Sequence, residues 1–239
     1  MDQMGESLEL EPLYQITVNC PQCEEDFKTS RVRPSMKRAV RRDSDFCAYY
    51  QHENPDYYVV RICPHCGFAS TENSVAKLSN EQKQKYMKQI GSRVAKRDMG
   101  GKRTGEQALE AYKLALMCAQ TVGDRERIVA SFLHHIAWLY RYNGEIEQEL
   151  RFIRYCLESY IRVFELESVS GSDAKLMYLI GELHRRLGEF NDAVKWFSRV
   201  INDQHITDSA MIRASREQWV VLREQMLSKN IDLPEEMQQ

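Results

Sequence analysis

Met177–Ile201 reads MYLIGELHRRLGEFNDAVKWFSRVI, and this stretch decides the fold. Leu176, Leu179, Ile180, Leu183 and Leu187 recur at intervals of three and four, and so do Phe190, Ala193, Val194, Phe197, Val200 and Ile201. That spacing places apolar side chains on one face of a helix. Gly188 separates the two runs, as expected of a residue that can take a positive φ and end a helix. Gly181 sits among the apolar positions of the first run, where a missing side chain lets a second helix come close. The stretch therefore predicts a helical hairpin, and its small residues at the contact with aromatics filling the gaps resemble the tetratricopeptide pattern.

A looser copy lies upstream in FLHHIAWLYRYNGEIEQELRFI, Phe132–Ile153. Ala137 and Gly144 stand where Gly181 and Gly188 stand in the better copy, 44 residues on. Glu149 breaks the match, because it occupies the place of Ala193. The usual tetratricopeptide period is about 34 residues, so these repeats are lengthened and a helical-hairpin array is expected rather than a strict superhelix. Further stripes complete the pattern: Ala108, Ala111, Tyr112, Ala115 and Ala119; Val129 to Tyr140; Leu150 to Phe164; and Ile212 to Met226. From Glu106 to about Lys229 the chain predicts six helices joined at YNGE, SVSGSD, RLGEF and similar breaks. Before them, SNEQ at Ser79–Gln82 is a capping-box signature, and DMGGKRTG at 98–105 reads as a flexible joint.

The N-terminal third has a different texture. YQITV and YYVVRI are β-like runs, and each leads into a Cys-Pro-x-Cys pair: Cys20 and Cys23, then Cys63 and Cys66. Two such pairs supply the four soft ligands of a closed tetrahedral Zn²⁺ site, which holds shape and leaves no open position for chemistry. Pro within each pair pre-sets a backbone dihedral, and Gly67 after the last ligand can take a positive φ. An iron centre or a pair of reducible thiols are the rival readings. Cys47, Cys118 and Cys156 read as small buried residues, and His65 as a solvent-facing member of its turn. His134, His135 and His184 lie on or beside core stripes and read as helix-packing residues. His52 remains a candidate extra ligand.

The chain is 43% hydrophobic and 28% charged with a net charge of -2, which predicts an ordinary globular protein with a sizeable core. No run approaches the ~18 apolar residues of a membrane span. MDQMGESLEL carries no basic-then-apolar leader, so a cytoplasmic setting and reduced cysteines are expected. Charge is locally uneven. Residues 1–26 hold seven acids and no Lys or Arg, whereas 27–42 hold seven bases and no acid. Of those bases, Arg31, Arg33, Lys37, Arg38, Arg41 and Arg42 are candidate contacts for an anionic partner. The nearby acidic stretch 1–26, or a partner protein, is favoured over nucleic acid, since nucleic-acid-binding domains tend to be basic as a whole.

Together, CPQC, RDSDFC, NPDYYVVRICPHCGFAS, YLIGELHRRLG and WFSRVI resemble a bacterial family of unknown function. Its members join a double Cys-Pro-x-Cys region to a helical, tetratricopeptide-like half. The likeness runs from Val18 to Ile201 and is most specific in RDSDFC and YLIGEL. It implies a cytoplasmic, zinc-binding bacterial protein, and it carries over no reaction and no catalytic residue.

The expected fold class is mainly α: a small β-containing zinc-ribbon-like module, then an antiparallel array of tetratricopeptide-like helical hairpins. The expected division is a module with a basic insertion at 1–78, a linker helix and Gly-rich joint at 79–104, and a helical domain at 105–239. No His-Glu-x-x-His, phosphate loop or Gly-x-Ser-x-Gly elbow is present, so a non-enzymatic scaffold is expected. It would hold structural Zn²⁺ and grip a protein or peptide through a face including Trp138, Tyr140, Tyr142, Arg151 and Tyr155. The alternatives are nucleic-acid binding through the ribbon and basic run 28–42, and thiol chemistry at Cys47.

Overall fold

A computed structural model describes residues 10–167 and 173–237. The described residues form two compact units, one within 1–41 and 48–118 and the other within 42–47 and 119–239.

In the first unit, β1 (Leu13–Asn19) pairs antiparallel with β2 (Asp26–Val32), Leu13 opposite Val32 and Asn19 opposite Asp26. After a short 3-10 turn at Pro34–Met36, β3 (Ala39–Arg42) pairs with β4 (Ala48–Tyr50). A third antiparallel pair, β5 (Arg61–Ile62) and β6 (Ala69–Ser70), closes the strand region. The β-like run YYVVRI is a strand only over its last two residues. Asn54 accepts a hydrogen bond from Asp56 N–H and caps a 3-10 turn at Pro55–Tyr58, and this local bond outweighs the aromatic β propensity.

Helix α1 (Asn80–Tyr86) begins at Ser79 with both bonds of a capping box and runs into a π-helical turn, Met87–Gly91. Helix α2 (Gly105–Val122) buries the predicted stripe Ala108, Ala111, Tyr112 and Ala115, and through Cys118 it belongs to the first unit. The stretch 98–105, read as a flexible joint, is instead bonded to its surroundings. Buried Arg103 donates to the carbonyls of Met99, Tyr57 and Val60, while Gly100 O accepts from Ser30 Oγ and Gln15 Nε2.

The second unit contains the predicted hairpins. Helices α3 (Glu126–Tyr142) and α4 (Ile146–Glu167) pack together, as do α5 (Ala174–Arg186) and α6 (Phe190–Asn202). Helix α4 also meets α5, and α7 (Ser209–Ser228) lies against α5 and α6. Gly144 and Gly188 follow α3 and α5 with φ of 73° and 78°, the left-handed conformation expected of them. A Cβ on Gly181 would lie 3.0 Å from the Phe197 ring and 3.2 Å from Trp196 Cβ, so the absent side chain sets the α5–α6 approach. Of the SVSGSD connection, residues 168–172 lie outside the described residues; Asp173 caps α5 by accepting from Leu176 N–H.

Candidate functional site

Both cysteine pairs are hairpin turns. Cys20–Glu25 connects β1 to β2, and Cys63–Phe68 connects β5 to β6. Each turn closes with the same two backbone bonds: Cys20 N–H to Glu25 O with Glu24 N–H to Cys20 O, and Cys63 N–H to Phe68 O with Gly67 N–H to Cys63 O. The residue after each second cysteine takes a positive φ, 64° at Glu24 and 78° at Gly67. Glu24 is held there by Asn19 Nδ2, which donates to its carbonyl, and by an ion pair with Lys83. Behind the second turn, the Tyr86 hydroxyl donates to Cys66 O, and its ring meets Phe68 edge-on at 5.0 Å. The capped helix α1 thus buttresses the site.

The four Sγ atoms lie within 4.8 Å of one another, and all four cysteines are free thiols. Cys20 and Cys66 are 3.6 Å apart, as are Cys23 and Cys63. Tetrahedral zinc with Zn–S bonds of about 2.3 Å requires sulfurs roughly 3.8 Å apart, so the geometry fits a closed four-thiolate metal site. The Cys66 thiol donates toward Cys20, and the Cys23 and Gln22 N–H groups also face it, which pulls Cys20 down to about 5. Cys66 is pushed up by the same bond and by burial. The exposed His65 lies outside this set, as does His52.

The basic run is spread over β2, the 3-10 turn and β3. Arg31 pairs with Glu72, which also meets Arg61 at 3.1 Å. Arg33 donates to Glu11 O, and Arg41 stacks 3.8 Å over the Tyr49 ring. Lys37, Arg38 and Arg42 are exposed. Of the acidic stretch proposed as their partner, residues 1–9 lie outside the described residues, and Glu24 pairs with Lys83 instead.

The sequence singled out RDSDFC without assigning it a place. The structure puts it in the helical unit as a turn, with Asp43 N–H bonded to Cys47 O and Phe46 N–H to Asp43 O. Asp45 is fully buried. Arg141 donates to both its carboxylate oxygens at 2.9 and 2.6 Å, Trp138 Nε1 reaches it at 3.1 Å and Arg186 at 3.3 Å. Arg141 also holds Asp43 and Glu149. Glu182, equally buried, accepts from Ser44 Oγ, Arg185 and Arg186. Burial opposes the Asp45 charge, but His134, Arg141 and Arg186 hold its carboxyl well below the usual 3.8. His134 is lowered by its own burial; its Nε2 lies 3.5 Å from Asp45, and its Nδ1 meets Tyr160.

The remaining sequence candidates divide. Trp138 and Tyr142 face the turn, Tyr142 beside the Cys47 thiol, and Tyr140 is core, stacked 5.4 Å from Phe152. Arg151 and Tyr155 are exposed on α4. Cys47 is fully buried, and burial pushes its thiol up to about 12, the reverse of an activated thiolate. Cys118 and Cys156 are buried as expected.

Fold and site define a class: a four-cysteine candidate metal module joined to a helical-hairpin array. Residues 13–222 match the family described as "Uncharacterized protein conserved in bacteria (DUF2225)", and the chain belongs to that family. No curated protein and no solved structure matches it. Among the described residues no helix is long and apolar enough to cross a membrane.

Proposed function

We propose that this chain is a non-enzymatic adaptor whose Cys20, Cys23, Cys63 and Cys66 hold a structural Zn²⁺ and whose helical half grips a protein or peptide. One observation carries the reading. Helices α3 and α5 hold the turn 43–46, with Arg141 and Arg186 on its carboxylates and Tyr178 on its backbone and its Phe46 ring. Arg clusters of this kind are a common means of recognising acidic segments. Arg151 and Tyr155 extend the accessible surface of the same unit. The test is a photo-crosslinking residue placed singly at 151, at 155 and at 213 as an exposed control, in the native bacterium. Discrete adducts from 151 or 155 but not from 213 are expected; none from either position would overturn the reading.

A second reading, nucleic-acid binding, is favoured by exposed Lys37, Arg38 and Arg42 beside the Arg41–Tyr49 stack. Nonspecific phosphate attraction would fade steeply as salt rises. Tight, sequence-dependent binding of labelled RNA or DNA at physiological salt, lost in an Arg38, Arg41 and Arg42 triple Ala variant, would put this reading first.

A further inference from the structure

We infer that the turn 43–46 is a built-in stand-in for an external ligand, and that the cradle between α3 and α5 takes an acidic, aromatic turn of the form Asp-Ser-Asp-Phe from a partner protein. This deepens the adaptor reading and rests on it.

Three observations carry it. The recognition is specific at each position. Arg141 reads Asp43 and Asp45, Glu182 accepts from the Ser44 hydroxyl while the Tyr178 hydroxyl donates to the Ser44 backbone carbonyl, and Phe46 meets the Tyr178 ring at 5.5 Å with Lys175 Nζ 5.2 Å over the Phe46 ring. The resident turn is strained, since Phe46 takes a φ of 69°, a conformation costly for a bulky side chain. It also underfills its seat. A cavity of about 270 Å³ adjoins Asp45 and Phe46, lined also by Arg127, His134, Trp138 and Lys175. A segment without the strained φ and with more bulk would fit better.

Electrostatics shapes the exchange. If the turn left, Arg141 and Arg186 would lose Asp45 and stay desolvated beside Glu149 and Glu182. A buried charge stripped of its partner is strongly unfavourable, so the cradle is not expected to stand open. It changes occupants, and the incoming one must bring a carboxylate.

The test uses the full chain with residues 43–46 replaced by Gly-Ser-Gly-Ser, and a fluorescent peptide of residues 39–50 carrying Cys47→Ser. The vacated chain should bind this peptide about tenfold or more tightly than the unaltered chain does, and Asp45→Asn in the peptide should cost about tenfold or more. A folded vacated chain that ignores the peptide, or binds both peptides alike, overturns the inference. If the vacated chain fails to fold, hydrogen exchange on the unaltered chain decides. Saturating peptide should speed exchange at the Asp43 and Phe46 amides, and unchanged rates overturn the inference. Tip-exchanged dimers in sedimentation would make the occupant a second copy and also overturn it. Crosslinks at 151 or 155 with no peptide binding would sink this inference and leave the adaptor reading. The reverse result would sink the partner surface and leave the cradle chemistry.

Discussion

Glu149 stands where the better repeat has Ala193, and the structure gives the reason. Its carboxylate meets Arg141 at 2.7 Å and Arg186 at 4.0 Å, so a position that packs a methyl group in one hairpin carries a charge in the other. That charge belongs to a network whose fully buried carboxylates are Asp45 and Glu182. Replacing Asp45 with Ala should cost about 3–5 kcal/mol, because half-buried Arg141 and Arg186 would be left facing the fully buried place of the lost carboxylate. Equilibrium urea unfolding measures this, and a loss below about 1 kcal/mol would show that water satisfies the arginines. The pH dependence has a definite sign. The Asp45 carboxyl lies below its ordinary 3.8 in the fold, so its contribution is complete above that value and is lost as pH falls through the lower folded value. Asp45→Asn should therefore flatten the acid limb of the stability profile; an unchanged limb would place the acid sensitivity elsewhere. In the other hairpin, Gly181→Leu must displace the Phe197 ring and should cost about 1–3 kcal/mol. A variant that melts like the original would contradict the close α5–α6 approach.

At the scale of elements, the two cysteine turns share backbone bonds and dihedral signs but differ in how they support them. Gly67 takes its positive φ without side-chain strain, whereas Glu24 needs Asn19 and Lys83. A Cβ at 67 would also lie 2.4 Å from Val94 Cγ1, so only glycine fits that turn comfortably. One zinc per chain is expected by elemental analysis, with Zn–S distances of about 2.3 Å by X-ray absorption. Any single Cys→Ser change at 20, 23, 63 or 66 should lower occupancy and disorder the β1–β2 and β5–β6 pairs. Stoichiometric zinc retained by the quadruple Ser variant would refute the assignment. Ser79 anchors α1 behind this site through the reciprocal cap with Gln82, and Ser79→Ala should cost about 1 kcal/mol.

For the whole molecule, the consequential fact is that residues 42–47 belong with 119–239. A truncation to 105–239 keeps every helix of the predicted array but removes Asp43 and Asp45, leaving Arg141 and Arg186 short of their acids. That fragment should melt well below the helical unit of the full chain, and supplying the 39–50 peptide should restore part of the difference. Calorimetry of the fragment with and without peptide checks this. A fragment as stable as the intact unit would mean that the helices alone suffice.

What could be read in the sequence was what is local. Apolar spacing of three and four residues located the six helices, because side-chain direction in a helix repeats with the chain itself. The two Cys-Pro-x-Cys pairs announced their turns for the same reason, and Ser79 with Gln82 announced its cap. Only the tertiary structure decided the roles that depend on distant partners. Asp45 and Arg141 are 96 residues apart, and no periodicity links them. Trp138 and Tyr142 read equally as partner-face or core residues, and the fold sets them against RDSDFC. The supposed joint at 98–105 is anchored by Arg103, whose acceptors are carbonyls more than forty residues away, at Tyr57 and Val60, as well as Met99 nearby. A buried charge must find its counter-charge or carbonyl wherever the fold brings one, and that pairing is written in three dimensions rather than along the chain.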